Sequence, residues 1–296
     1  NLVIREKGRG KTSLLNALSV ALGGWAHAYI KSKNNLRPIA NDEIREIQID
    51  NRFDKTKETF IKAYGKGEIV DQFRKQNEII AMWIRERDEN QQRTQGRVWY
   101  APFNKDYELD FKNLVSNVLN YIEKGNKFNL PLIAFYECDR LWKPKDKLNV
   151  EAAAKAQYTR FAPYVDCFHT ATDHQAIGEW LLKQKLISLD EGEETPLSQS
   201  MRNAAKAALE GCVGFKFDIG QARVMVEFVD GTITPFEHLS DGQRTIVSLF
   251  CDIARRAAIL NPHLGGNASA ETQGVVLIDE LDLHLHPKWQ RMFVYR

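Results

Sequence analysis

Apolar and polar residues alternate with a period of two in neighbouring segments of the C-terminal half. Residues 215–219 and 224–228 both follow this pattern, and Gly220 and Gln221 lie between them. Alternation on both sides of a short turn predicts a β-hairpin, here within a small antiparallel sheet. Two earlier segments also have the composition of strands, at 97–101 and 131–136.

Other parts of the chain place apolar residues at helical spacing. Between the two earlier strands, one stripe predicts an amphipathic helix through Phe111, Leu114, Val118 and Leu119. Residues 151–185 and 198–210 are predicted to be helical and to form a helical lobe at about 150–211. Strands separated by helices indicate the α/β class.

A four-residue apolar run near the C-terminal end carries two acids at its end. Residues 275–278 are Val, Val, Leu and Ile, and Asp279 and Glu280 follow directly. An uninterrupted apolar run predicts a buried parallel strand, which would bring both carboxylates to the edge of the sheet where α/β proteins bind ligands. Asp279 is then a candidate Mg²⁺ ligand, and Glu280 a candidate general base for an attacking water.

A glycine-rich segment near the start has the composition of a phosphate-binding loop. It runs through Gly8, Gly10, Lys11, Thr12 and Ser13, and a helix from 12 to about 22 is predicted after it. Backbone N–H groups at the start of a helix favour an anion. We therefore expect these five residues to bind ATP, with Lys11 on the β- and γ-phosphates and the Thr12 hydroxyl on Mg²⁺.

This loop departs from the full phosphate-loop pattern at one position. The pattern has a glycine five residues before Gly10, where this chain has Arg5. A residue with a side chain in a left-handed turn costs roughly 1 kcal/mol or more. Either the loop bends differently here or the site is weakened, and Arg5 and Lys7 are the residues for which reduced ATP turnover is expected.

The segment Leu239 to Arg244, Leu-Ser-Asp-Gly-Gln-Arg, resembles the signature motif of ABC-type ATPases and precedes the Asp279–Glu280 strand as in that family. Residues 278–287 resemble the ATPase heads of the SMC-like group, and most of all those of stand-alone bacterial defence ATPases of the OLD and Septu or retron-associated kind. Residues 132–142 are similar to a further block of that group, altered at Glu137 and Asp139.

The resemblance implies a P-loop fold of the ABC type with helical insertions, ATP and Mg²⁺ as ligands, and hydrolysis of ATP to ADP and phosphate. It also implies a homodimer in which Ser240, Gly242 and Gln243 of one chain act in trans on the ATP of the other. From the residues alone, Ser240 is predicted to cap a helix that continues through Ile246, Leu249 and Ile253. Compared with that family, the head is expected to be incomplete at both ends.

Composition is consistent with one large head. The chain has 296 residues, of which 43% are hydrophobic, and its formal net charge is +2. No apolar run reaches the roughly 20 residues of a membrane span and no signal peptide is recognisable, so a cytoplasmic protein is expected. The four cysteines lack the spacing of a metal site, and buried reduced thiols are predicted at Cys138, Cys167, Cys212 and Cys251.

Charged residues of both signs are concentrated between 55 and 97. This mixture favours a solvated helix face over a DNA-contacting stripe, and we predict a helical insertion at about 55–97. The remainder of residues 1–296 is interpreted as a single head.

The favoured function is a dimeric ATPase that regulates a nuclease or another DNA-processing partner, in bacterial antiphage defence. Direct contact with nucleic acid stays open, and no membrane partner is expected. Two alternatives remain: the nucleotide-binding subunit of a membrane transporter, and a scaffold that binds ATP without turnover, which Arg5 and Lys7 would favour.

Overall fold

The computed structural model describes the chain in eleven ranges: 10–30, 37–44, 46–50, 52–56, 58–70, 76–88, 93–100, 111–137, 159–168, 174–221 and 223–280. Two compact units are formed, one by the described residues up to Phe128 and the other by those from Asn129 onward. The sequence predicts a single head with lobes. Each of the two compact units contains helices and strands of its own.

The first unit packs two helices against strands. Its elements are α1 (Lys11–Ile30), β1 (Glu46–Ile49), β2 (Arg52–Lys55), β3 (Glu58–Val70), β4 (Gln76–Asp88), β5 (Gln95–Tyr100) and α2 (Phe111–Glu123). Trp25 of α1 makes edge-to-face contacts with Trp83 at 5.7 Å and Phe111 at 5.1 Å between ring centroids. The Trp83 indole N–H also donates to the Ala21 carbonyl at 3.0 Å, so aromatic packing holds the helices on the sheet.

The predicted helical insertion at about 55–97 is wrong. This part of the chain forms most of a three-stranded antiparallel sheet in the order β3-β4-β5. Its opposite charges pair across strands and not along a helix: Arg97 of β5 contacts Glu86 of β4 at 2.7 Å. Arg85 is buried on the other face of the sheet. Successive residues therefore alternate between two faces with a period of two, which a count of mixed charges does not reveal.

The second unit contains a parallel strand pair, a helical layer and an antiparallel sheet. Its elements are β6 (Leu132–Tyr136), a 3₁₀ turn (Ala162–Tyr164), α3 (His174–Glu191), α4 (Pro196–Ala208), β7 (Cys212–Asp218), β8 (Arg223–Phe228), β9 (Ile233–Pro235), α5 (Asp241–Leu260), α6 (Ala268–Glu271) and β10 (Gly274–Ile278). The predicted hairpin is confirmed as β7 and β8, and β9 extends it to three strands. Helices α3 and α4 lie within the predicted helical lobe. The helix predicted from 151 to 185 is wrong over 159–168, which forms turns around the 3₁₀ segment, and residues 151–158 and 169–173 are outside the described ranges.

Strand β10 is parallel to β6, as predicted, and Val276 is paired with Ala134. The strand is less buried than predicted: Leu277 is 6% exposed but Val275 is 42% exposed. No strand in the described part of the chain pairs with the other side of β10, which leaves its first residues accessible.

Helix α1 is longer than predicted. The sequence predicted a helix from 12 to about 22, whereas α1 continues to Ile30.

Helix α5 packs on this strand pair and is fastened at its C-terminal end. Leu249 lies in a buried cluster with Ala134 and Tyr136 of β6. The Asn261 side chain, fully buried at the end of α5, accepts from the Leu130 N–H at 2.8 Å and donates to the Leu130 carbonyl at 2.9 Å. This two-way amide contact fixes the end of the helix to the start of β6.

Candidate nucleotide-binding site

Three groups of the residues that the sequence selected can be located. Lys11, Thr12 and Ser13 belong to the first unit, whereas the Ser240 segment and the acids after β10 belong to the second. Gly8 lies outside the described residues, as do Arg5 and Lys7. The described cysteines Cys167, Cys212 and Cys251 are free and buried, as predicted.

The first group forms the opening turn of α1. Gly10 has a φ of +74°, and its carbonyl accepts the first helical bond from the Leu14 N–H at 3.1 Å. This left-handed conformation is the one that glycine adopts without a Cβ clash. Lys11, Thr12 and Ser13 follow directly, with both hydroxyl residues exposed and no acid in the turn. Their N–H groups point out of a helix start, where an anion is favoured.

The second group lies at the carboxyl edge of the parallel strands. The Asp279 N–H donates to the Tyr136 carbonyl at 2.9 Å, which extends the β6–β10 ladder by one residue. Asp279 is 6% exposed, whereas Glu280 is exposed. Glu137 follows β6 directly and is also exposed, so its carboxylate leaves the same edge. In the sequence, Glu137 was notable only as a departure from the family pattern of residues 132–142. The parallel pairing of β6 with β10 places it at the same sheet edge as Asp279 and Glu280.

Glu280 has an unusual backbone conformation. Its φ is +45°, in the left-handed region that residues with a side chain seldom adopt. Such a conformation costs on the order of 1 kcal/mol, and it is retained where the surrounding structure requires it. The chain therefore turns sharply after Asp279, and this turn separates the direction of the exposed Glu280 side chain from that of the nearly buried Asp279.

The third group is the start of α5, where the predicted cap is confirmed. The Gln243 N–H donates to the Ser240 hydroxyl at 3.4 Å, and the Ser240 N–H donates to the Gln243 Oε1 at 3.0 Å. This reciprocal arrangement is a capping box. Arg244 forms an ion pair with Asp241 and donates to the Glu237 carbonyl at 3.2 Å. The signature segment is thus a fixed helix start with Ser240 exposed.

Behind the signature segment, α5 carries a buried ionic cluster that the sequence did not reveal. Asp252 and Arg256 are each 1% exposed. The Asp252 carboxylate accepts from the Tyr136 hydroxyl at 2.8 Å, the Arg255 guanidinium at 2.6 Å and the Arg256 Nε at 2.7 Å. Arg256 also donates to Asp166 at 2.9 Å and to the Pro163 carbonyl at 2.8 Å. Strand β6, helix α5 and the segment around Asp166 are therefore joined through charged groups.

Ionisation of this cluster follows from its burial and composition. Burial raises the pKa of Asp252, but the guanidinium groups of Arg256 and Arg255 outweigh it and lower that pKa to about 2. Burial and the neighbouring Asp252 charge raise the pKa of Tyr136 well above its usual value. Asp252 is thus an anion and Tyr136 a neutral hydrogen-bond donor across the physiological range.

The part of the chain that the structure describes has neither a cluster of metal-binding side chains nor a membrane-spanning helix. In the described ranges, no three His, Cys, Asp or Glu side chains form a group that could hold a metal ion by itself. Nor is any helix in that part of the chain long and apolar enough to cross a membrane.

Three bacterial relatives have matching segments. A Vibrio cholerae protein named "Retron Vc95 probable ATPase" is 40% identical over 98 residues, which are 31% of this chain and 19% of the relative. An Escherichia coli protein named "Retron Ec83 probable ATPase" is 34% identical over 116 residues, which are 39% of this chain and 21% of the relative. A Bacillus thuringiensis "Septu protein PtuA" is 37% identical over 60 residues, 20% of this chain and 15% of that protein. The matched segments span about a fifth or less of the length of these relatives.

A solved structure of an Smc head bound to the C-terminal winged-helix domain of ScpA is similar with a TM-score of 0.40 and 10% identity, covering 95% of this chain and 80% of that one. A family model described as "AAA domain, putative AbiEii toxin, Type IV TA system" matches residues 8–296. This match includes the start of α1, the Ser240 segment and the acids that follow β10. The chain therefore belongs to this family of AAA-type ATPase domains, and its fold is that of a P-loop ATPase.

Proposed function

We propose that this chain hydrolyses ATP as a homodimer and thereby regulates a nuclease or another DNA-processing partner in bacterial defence. Membership of an ATPase family supports nucleotide binding. The names of the retron and Septu relatives support the defence setting. Hydrolysis, the dimer and the partner are our inferences, since those relatives are matched over only part of their length.

The observation that carries the proposal is the pair of acids at the edge of β10. Asp279 is nearly buried and held by its backbone bond to Tyr136, whereas Glu280 is exposed after a left-handed turn. A fixed acid suits a metal ligand, because its position does not depend on solvent. An exposed acid on the next residue suits a base, since it can accept a proton from a water molecule. Glu280 is assigned that role.

The residues present fit Mg²⁺ and a triphosphate. Mg²⁺ prefers oxygen ligands and is commonly bound by one or two carboxylates together with substrate phosphates, so a ready-made cluster of three acids is not needed. The phosphate-loop and acid-pair motifs of the sequence assign Mg²⁺ coordination to the Thr12 hydroxyl and to the Asp279 carboxylate, and the ion when bound would neutralise charge on the phosphates. Gly10, Lys11 and Ser13 would bind the phosphates through backbone N–H groups and the Lys11 ammonium.

The start of α5 supports the proposed action in trans. Ser240 and Asp241 are exposed, and the capping box fixes the orientation of the turn that Gly242 and Gln243 share. In a two-fold dimer one surface patch serves both subunits, so a single rigid helix start can complete two equivalent sites. Ser240, Gly242 and Gln243 are assigned to the partner chain's ATP.

A scaffold that binds ATP without turnover is the second candidate. Arg5 favours it, because a side chain replaces the first glycine of the phosphate loop. Both candidate functions predict that the chain binds ATP, but only the ATPase predicts release of phosphate.

The test is the Glu280→Gln variant, with Glu271→Gln as a control at an exposed acid that ends helix α6 and precedes β10. We expect ATP affinity measured by calorimetry to be retained in both variants. Phosphate release should fall by about 100-fold or more in Glu280→Gln and stay unchanged in Glu271→Gln. Near-normal release in Glu280→Gln would overturn the assignment of the base. ATP binding without release in the unaltered chain would instead favour the scaffold.

A further inference from the structure

The sheet β3-β4-β5 has one face that packs inside the first unit and one that is exposed. On the inner face, Ala81, Trp83 and Val98 are buried, and the Trp83 ring lies over Gly65. The opposite face, here called the outer face, is formed by the residues in between. Phe60 and Tyr64 on β3 are 64% and 63% exposed and Ile80 on β4 is 50% exposed, whereas Met82, Ile84 and Trp99 on this face are half-buried.

The strand register arranges the outer face in rows. One central row is Tyr64, Met82 and Trp99, from β3 to β5. The rows on either side contain Lys62, Ile84 and Arg97 in one case and Lys66 with Ile80 in the other. These three rows contain three cations, two aromatic rings and no acid. Acids occur in the next rows outward, at Glu86 on one side and at Glu68 and Glu78 on the other.

The cations of the central rows lie close to the aromatic rings. The Lys62 ammonium is 5.5 Å from the centroid of the Tyr64 ring, and the Arg97 guanidinium is 5.8 Å from that of Trp99. Arg97 also contacts Glu86 at 2.7 Å and Lys66 contacts Glu78 at 2.5 Å. Ion pairs this exposed contribute little to stability, so these cations can exchange their carboxylate partners for phosphate.

We infer that the outer face of β3-β4-β5 binds single-stranded nucleic acid, with Tyr64 and Trp99 stacking on unpaired bases and Lys62, Lys66 and Arg97 contacting the backbone phosphates. Aromatic rings interleaved with cations on a rigid surface are the combination that single-strand binders use. The inner face supplies the rigidity, because Trp83 is held by Trp25 and by the Ala21 carbonyl.

The spacing of the rings is compatible with this ligand. Tyr64 and Trp99 lie two strands apart, roughly 10 Å, and Phe60 lies four residues along β3 from Tyr64, roughly 13 Å. Such distances suit bases in an extended single strand, whose faces are free to stack. In a duplex the base faces are already stacked on one another. Because the central rows contain cations and no acid, this face favours a polyanion over a basic protein partner.

This inference does not depend on ATP turnover, and a binding experiment tests it. Fluorescence anisotropy is measured with the complete chain and a labelled oligo-deoxythymidine of about 15 nucleotides, within the site size of a single small domain. Three phosphate contacts predict a slope of about −2 for the logarithm of affinity against that of salt concentration. Tyr64→Ala and Trp99→Ala should each weaken binding by about tenfold.

A matched control separates the outer face from a general charge effect. Lys66→Glu removes a cation of the outer face, whereas Lys216→Glu removes the cation of an equally short exposed pair, Lys216 with Glu227 at 2.5 Å, on the other antiparallel sheet. Only Lys66→Glu should lower the affinity and flatten the salt dependence. Equal losses in both variants, equal affinity for the matched duplex, or no binding at low salt would overturn the inference. If the oligonucleotide does not bind but Tyr64→Ala changes the oligomeric state in light scattering, the face is a protein interface instead.

Discussion

The Tyr136 hydroxyl donates a 2.8 Å hydrogen bond to the buried Asp252 carboxylate, which connects strand β6 to the middle of helix α5. The carbonyl of the same tyrosine accepts from the Asp279 N–H at 2.9 Å. One residue therefore contacts both the helix that begins with the signature segment and the proposed metal ligand. Tyr136 thus joins α5 to the acidic edge, through its side chain on one side and its backbone on the other.

The first prediction concerns the strength of that connection. Asp252→Asn replaces the buried carboxylate shared by Arg255 and Arg256 with a neutral amide, while Arg256 keeps its pair with Asp166, and we expect a loss of about 3 kcal/mol in the free energy of unfolding. Tyr136→Phe removes one hydrogen bond and should cost about 1 to 2 kcal/mol. Urea unfolding of both single variants and the double variant gives their coupling energy, which should be at least about 0.5 kcal/mol. Asp241→Asn, which alters the exposed pair with Arg244, should cost less than about 1 kcal/mol. If Asp252→Asn also lowered the free energy of unfolding by less than about 1 kcal/mol, the cluster would have no structural role.

The second prediction is the pH dependence of stability. The pKa of Asp252 is lowered to about 2 in the folded state, from about 4 in an unfolded chain. A lowered folded-state pKa means that the stabilisation is fully present above pH 4 and is lost as the pH falls towards 2. Thermal unfolding between pH 5 and about 2 should show a smaller decline for Asp252→Asn than for the unaltered chain. Parallel curves for the two proteins would show that another group controls the acid limb.

The third prediction separates strain from chemistry at Glu280. Because its φ is +45°, Glu280→Gly should be more stable than Glu280→Ala by about 1 kcal/mol in thermal or urea unfolding. Both variants should lose ATP turnover, since neither has a carboxylate. The control is the same pair of substitutions at Lys185, which is exposed within helix α3. There Lys185→Ala should be more stable than Lys185→Gly by about 1 kcal/mol, because glycine disfavours a helix. If alanine is also preferred at 280, the left-handed turn does not exist in solution.

The fourth prediction tests the two-chain arrangement. Lys11→Ala and Ser240→Arg should each be inactive alone, the first through loss of phosphate binding and the second through loss of the signature contact. Mixed together, they should recover part of the hydrolysis, because one of the two composite sites in the mixed dimer has both intact parts. Circular dichroism checks that α5 survives the loss of its cap, which costs about 1 kcal/mol. No recovery, with dimers confirmed by light scattering in ATP, would argue against action in trans.

Much of the second unit could be predicted from local sequence. Ser240 and Gln243 have the three-residue spacing of a capping box, which involves only neighbouring residues, and the helix starts where that spacing indicates. The hairpin of β7 and β8 and the strand before Asp279 were predicted for the same reason. In each case, period and turn composition are properties of a short segment and do not depend on the rest of the chain.

Charged segments were a different matter, because their surroundings are set by distant residues. Arg85, Glu86 and Arg87 had the composition of a solvated helix, but pairing with β3 and β5 placed Arg85 inside and Glu86 outside. Nor did the helical spacing of Ile246, Leu249 and Ile253 indicate that Asp252 and Arg256 of the same helix are buried.

By itself, then, the sequence determined the chemistry available here: a phosphate-loop lysine, a capped signature helix and two acids after an apolar strand. Tertiary structure alone decided that Asp252 and Arg256 are buried against Tyr136, that Glu280 adopts a positive φ, and that aromatic and cationic residues share one face of a sheet. The physical reason is range. Capping, periodicity and turn formation involve residues a few positions apart, whereas burial and strand pairing join residues such as Tyr136 and Asp252 that are 116 positions apart in the chain.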